Sequence, residues 1–105
     1  MCQIFAGQNP AGFRSVTRSV RLSGHATSIR LEAAFWDILD LIAEDQGLTT
    51  PKFLTALHDE AEELHGVVPN FTSMLRTTCL LYLSGARPEA KEITTLRASA
   101  SVTAM

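Results

Sequence analysis

The stretch HATSIRLEAAFWDIL, residues 25 to 39, changes its hydrophobic period partway along. Thr27, Ile29 and Leu31 alternate with Ala26, Ser28 and Arg30, the two-residue repeat of a strand, whereas from Glu32 onward the apolar residues fall at helical spacing. The segment therefore predicts a short strand that runs directly into a helix. A lone strand leaves its backbone donors and acceptors unpaired, and a two-stranded ribbon is marginal by itself in water. This strand needs both a partner and a core beneath it.

The preceding segment VTRSVRL, residues 16 to 22, alternates in the same way. If Ser23 and Gly24 form a two-residue turn, Leu22 faces His25, Arg21 faces Ala26, Val20 faces Thr27, Ser19 faces Ser28 and Thr17 faces Arg30. That register sorts the side chains. Val16, Val20, Leu22, Ile29 and Leu31 share one face, with Arg18, His25 and Thr27 as its polar members, and Thr17, Ser19, Arg21, Ala26, Ser28 and Arg30 share the other. One face is apolar enough to rest on helices, and the other is polar and cationic.

Three helices are predicted after the strand, each stopped by a glycine: Gly47, Gly66 and Gly85. The first, about 33 to 46, carries a stripe of Phe35, Ile38, Leu39 and Ile42 with Trp36 beside it. The second opens at TTPKF, with Thr50 as cap and Pro51 in the first turn, and presents Phe53, Leu54, Leu57, Ala61 and Leu64. The third opens at Asn70 and carries Phe71, Met74, Leu75, Cys79 and Tyr82. Residues 1 to 15, rich in Gly, Gln, Pro and Ala, read as an irregular arm, residues 16 to 84 as the folded unit, and residues 85 to 105 as a disordered tail.

With 105 residues, the chain has room for one domain, and sharing a core with a second copy would ease the burial limit on so short a chain. No apolar run approaches the roughly 20 residues that a membrane span requires. The start, MCQIFAGQNPAGF, lacks the basic and apolar regions of a secretory signal, which predicts a cytoplasmic protein with its two cysteines reduced. The net charge of −2 conceals an asymmetry. Residues 1 to 31 carry four arginines and no acid, residues 32 to 65 carry nine acids against Lys52, and the remainder is weakly basic. A polyanion would approach the strand segment and avoid the helical body.

Strand, helix, glycine turn, helix, with basic outward positions on the strand, resembles the ribbon-helix-helix family of DNA-binding proteins, over SIRLEAAFWDILDLIAEDQGLTTPKFLTALHDEA, residues 28 to 61. RSVRLSGHATSIRLEAAFW followed by NFTSMLRTTCLLYL is similar to an uncharacterised bacterial subfamily that keeps the Gly-His-x-Thr-Ser segment and a third helix. The resemblance implies a mainly α homodimer with a short β-ribbon, in which antiparallel strands from two chains enter the major groove. It places base contacts on Ala26, Ser28 and Arg30 and phosphate contacts on Thr49, Thr50 and Lys52. It also implies a dimer core of Ile29, Leu31, Phe35, Leu39, Ile42, Phe53, Leu54 and Leu57.

One departure leaves two ribbons open. In the family the strand pairs with its dimer partner, whereas here residues 16 to 22 can pair with it inside the chain. Either the hairpin adds an outer strand on each side of the dimer ribbon, or residues 16 to 22 are central and Thr17, Ser19 and Arg21 become second-strand DNA contacts. Direct entry of residues 25 to 31 into the first helix favours the former.

Other motifs give weaker readings. MCQIFAG is reminiscent of the amino-terminal cysteine of class II glutamine amidotransferases, but Gln3 replaces their glycine and the chain is far too short for that fold. HDEAEELH sets Glu62 and His65 three residues apart with His58 one turn earlier, yet it is a single copy and reads as a solvated helix face. His25 reads as a turn residue. Sequence analysis thus predicts a non-enzymatic regulator, without metal or cofactor, whose partners are duplex DNA and a second copy of itself. An antitoxin or protein-interaction dimer using the acidic helices and the tail is the alternative.

Overall fold

The hairpin forms in the register that its alternation dictates. In the computed structural model, which describes residues 3–85, β1 (Ser15–Leu22) runs antiparallel to β2 (His25–Glu32). Leu22 lies opposite His25, Val20 opposite Thr27, Ser19 opposite Ser28 and Thr17 opposite Arg30. Ser23 and Gly24 both take positive φ, 52° and 81°, the backbone that a two-residue hairpin turn needs to match strand twist. Val20, Leu22, Ile29 and Leu31 are buried, and Ser19, Arg21, Ala26, Ser28 and Arg30 are exposed on the opposite face.

Beneath the hairpin lie α2 (Ala33–Asp45), α3 (Thr50–His65) and α4 (Phe71–Leu83). Helix α2 turns its stripe one residue from the predicted one. Trp36 is buried with Leu39, Ile42 and Ala43, while Phe35 and Ile38 sit half-buried at the rim. The indole N–H of Trp36 donates to the carbonyl of Val16 on β1 at 2.9 Å, a long-range bond that fixes the helix phase and that periodicity cannot contain.

Helix α3 is capped one residue earlier than expected: the Thr49 hydroxyl, not that of Thr50, accepts the Lys52 N–H at 3.3 Å. It buries Phe53, Leu54 and Ala61, and half-buries Leu57. Leu64, predicted on the same stripe, is 55% exposed, because it falls in the last turn beyond Ala61. Helix α4 is capped by the Asn70 side chain, which accepts the Ser73 N–H, and buries Phe71, Leu75 and Cys79; it packs along α2, with Phe71 set against His58 of α3. The third helix thus closes the core on the side that α3 leaves open.

The segment expected to be irregular holds two short helical turns, α1 (Gln3–Ala6) and a 3-10 turn, Pro10–Phe13. Asn9 caps the latter through the Ala11 N–H, and the Arg14 carbonyl accepts the Ala33 N–H at 2.8 Å, tying the arm to the start of α2. Cys2 and the tail read as disordered, apart from Gly85, lie outside the described residues. Among the described residues no helix is long and apolar enough to cross a membrane.

Candidate nucleic-acid interface

The outer face of the hairpin carries Thr17, Ser19 and Arg21 on one strand against Arg30, Ser28 and Ala26 on the other, all exposed. The structure thereby brings both predicted sets of strand residues onto a single surface. Glu32 shares their parity but is turned away. Its carboxylate meets Arg76 of α4, with Oε1 3.2 Å from Nε, and its own backbone N–H and that guanidinium hold its pKa below the ordinary carboxylate value. Among the described residues the outer face is left without an unpaired acid.

The basic segment is less uniform than its composition suggests. Arg18 points inward, donating to both carboxylate oxygens of Asp40 at 2.9 and 3.2 Å while its guanidinium stacks 4.5 Å over Trp36. Its charge is neutralised and does not reach the outer face. Arg21 folds back onto the turn and donates to the Gly24 carbonyl at 2.8 Å. Arg30, among the described residues, makes no side-chain hydrogen bond or ion pair, so it is the cation on this face that is free to meet a ligand. Composition counts these three arginines alike; what separates them is a carboxylate 22 residues away and a turn carbonyl.

The start of α3 lies beside the same surface. Ser19, Arg21 and Ala26 line one wall of an open groove of about 630 Å³, and Lys52 and Thr55 line the other, with Asp59 at its edge. The predicted phosphate contacts divide within it. Thr49 spends its hydroxyl oxygen on the cap, and Thr50 donates to Asp40 Oδ1 at 2.6 Å. The Lys52 N–H is taken by that cap, the Phe53 N–H by the Thr49 carbonyl, and Pro51 has none. The helix N-terminus therefore has little backbone left to offer an anion, and any phosphate contact here falls to the exposed ammonium of Lys52.

Of the residues expected in a dimer core, Ile29, Leu31, Leu39, Ile42, Phe53 and Leu54 are at most 5% exposed within one chain, and Phe35 and Leu57 are partly buried. Within the chain, β1 and α4 pack over these residues.

The two sheet edges differ. In a two-residue hairpin the pair closing the turn is hydrogen-bonded, so the backbone groups of Arg21, Ser19 and Thr17 face away from β2, and those of Ala26, Ser28 and Arg30 face away from β1. On the β1 side Thr55 of α3 donates to the Arg21 carbonyl at 2.7 Å, and α3 packs along that strand. On the β2 side these groups have no partner among the described residues. The open edge is that of β2.

A family model for a ribbon-helix-helix domain matches residues 15–83. The chain is also similar to the solved structure of an uncharacterised protein from Bordetella pertussis Tohama I, with 43% sequence identity and a TM-score of 0.78, over 80% of this chain and 67% of that one. No curated protein matches it.

Proposed function

Because the chain belongs to the ribbon-helix-helix domain family, we propose that it is a homodimeric, sequence-specific DNA-binding regulator that works in the cytoplasm without catalytic chemistry. The observation that carries this reading is the acid-free outer face, with Ala26, Ser28 and an unpartnered Arg30 in a row on β2. Two copies of β2 pair antiparallel along their open edges, giving the strand order β1, β2, β2, β1.

Groove dimensions then divide the labour. Neighbouring strands lie about 4.8 Å apart, so the outer pair of a four-stranded ribbon is roughly 14 Å apart, against a major groove about 12 Å wide. The central strands enter. Arg30 suits guanine O6 and N7, Ser28 suits several bases, and Ala26 suits a thymine methyl. The flanking strands come to rest near the groove walls, where Thr17, Ser19 and Arg21 meet phosphates, and Lys52 continues that contact from the groove beside them.

A second reading, an antitoxin that also engages a protein, is favoured by the outer side of α4, where Leu80 and Leu83 are 61% and 63% exposed just before the tail. The deciding experiment selects bound duplexes from a random library and then measures affinity for selected and random DNA across a salt series, with the mass of the complex. A dimer that enriches a two-fold-related sequence supports the regulator. A chain with no duplex affinity at low salt overturns it and leaves the protein-interaction reading.

A further inference from the structure

On α3 three donor atoms converge beside the hairpin turn. His58, Asp59 and Glu62 each offer one ligand atom, and the three lie within 4.8 Å of one another. Residues 58 and 62 share a helix face one turn apart, with 59 at its flank. The Nδ1 of His58 is shut off from solvent and has no hydrogen-bond partner, and its side chain is only 12% exposed. The ring is held edge-on against Phe71 with centroids 4.9 Å apart. Nδ1 faces Glu62 Oε1 at 3.9 Å, beyond hydrogen-bond reach. On its other side Glu62 Oε1 accepts the hydroxyl of Ser23, from the hairpin turn, at 3.1 Å.

Buried polar atoms in native proteins are rarely left unsatisfied, so this nitrogen needs an explanation. A proton on it gains no bond at 3.9 Å unless the Glu62 side chain, one turn along the same helix, rotates toward it. A cation asks for less closure than a proton: with ligand distances of about 2.1 Å to nitrogen and oxygen, tetrahedral coordination sets the two atoms about 3.4 Å apart, roughly half an ångström closer than they stand. Asp59 is exposed and turns in with a change of rotamer. We propose that His58 Nδ1, Asp59 and Glu62 bind a divalent transition-metal cation of the zinc type, with Ser23 orienting Glu62 from the ribbon. One imidazole and two carboxylates form a borderline donor set, suited to zinc and its neighbours rather than to the all-oxygen shells of calcium or magnesium. Three protein donors leave a position for water. The bound cation pins the tip of the ribbon to α3 through Glu62, because a hydrogen bond to a ligating carboxylate fixes its orientation.

The site is read from its own donors and stands whether or not the chain binds DNA. Its test is titration of zinc ions into the full chain, stripped with chelator and kept reduced, followed by calorimetry and by the nitrogen resonances of the imidazoles. One saturable equivalent per chain is expected, with His58 the imidazole that responds, Nδ1 taking the metal-bound shift and Nε2 keeping the ring proton. His58 also packs on Phe71, so the exposed Glu62→Gln carries the mutational arm and should weaken binding by about tenfold or more. Ser23→Ala, which removes only the orienting bond, should weaken it by about tenfold. The absence of a saturable equivalent overturns the proposal, as does a Glu62→Gln protein that binds like the parent, or a shift on Nε2 of His58 in place of Nδ1.

Discussion

Arg18 of β1 and Asp40 of α2 form a two-pronged ion pair, at 2.9 and 3.2 Å, that also receives the hydroxyl of Thr50 at 2.6 Å. Strand β1, helix α2 and the start of α3 meet on one carboxylate. With Trp36 beneath the guanidinium at 4.5 Å, this junction sets how the ribbon sits relative to Lys52. The bond from Arg18, reinforced by Thr50, lowers the Asp40 pKa below its ordinary 3.8, against the opposing effect of burial.

A carboxyl whose pKa is lower folded than unfolded contributes stability that is full above the unfolded value and is lost as pH falls through the folded one. The parent should therefore lose stability on acidification below about pH 4, and Asp40→Asn should flatten that part of the profile. At neutral pH the substitution should cost on the order of 1 kcal/mol, since the pair is bidentate but nearly half exposed. Urea midpoints at pH 7 and pH 3 check both statements. A parent and variant with parallel pH profiles would mean that Glu32 and other acids carry the dependence.

Arg30→Ala should relax base preference at one position of the selected site and cost about 1 to 3 kcal/mol on specific DNA, with little change on random DNA. Arg21→Ala should act differently, because that side chain is engaged by the turn and rests at the groove wall in the proposed ribbon. Its loss should fall evenly on both kinds of duplex. Binding of both variants to both duplexes separates the two roles, and an even loss for Arg30→Ala removes it as a base reader.

Lys52→Ala should weaken binding across sequences and reduce the slope of log affinity against log salt by about 0.9, the share of one phosphate. Thr50→Val should instead act through stability, since its hydroxyl serves Asp40 and not the solvent side of the helix. An unchanged salt slope for Lys52→Ala would take the start of α3 out of the interface.

The hairpin and its register were legible in the sequence because they are local. Two alternating segments around Ser23 and Gly24 allow one pairing, and the glycines at 47 and 66 have the positive φ expected where helices stop. The helix phase of Trp36, the inward turn of Arg18 and the engagement of Thr50 all depend on residues ten or more positions away, which no periodicity encodes. The same limit hid the orphaned nitrogen of His58, whose segment reads as a charged, solvated face until Phe71 and Ser23 are folded against it. The shift of the cap from Thr50 to Thr49 is subtler, because adjacent threonines before Pro51 are equally able to cap and the claim of Asp40 on Thr50 decides between them.

Leu31 shows how a function-level expectation changes with the fold. As a residue of a core shared between chains, its replacement by Asp would separate a dimer; at 1% exposure inside one chain, it should unfold the chain itself. A carboxylate placed there has no partner and costs several kcal/mol, comparable with the whole stability of a small domain. Circular dichroism of Leu31→Asp should show lost helix at any concentration. A folded monomer would instead assign Leu31 to an interface.

The choice between the two ribbons rests on edge chemistry, and proline reads it directly. The Ser28 N–H faces away from β1, so Ser28→Pro removes a donor from the open edge of β2 without breaking a bond inside the hairpin. Ser19 occupies the matching place on β1, directly opposite Ser28, and Ser19→Pro removes the equivalent donor from the edge along which α3 packs. If β2 is central, Ser28→Pro should keep its circular dichroism and sediment as a monomer, while Ser19→Pro remains a dimer. The reverse pattern would put β1 at the centre and pass the reading of bases to Thr17, Ser19 and Arg21. Two dimers would move the interface off the ribbon altogether, onto helices whose exposed leucines already face solvent in the single chain.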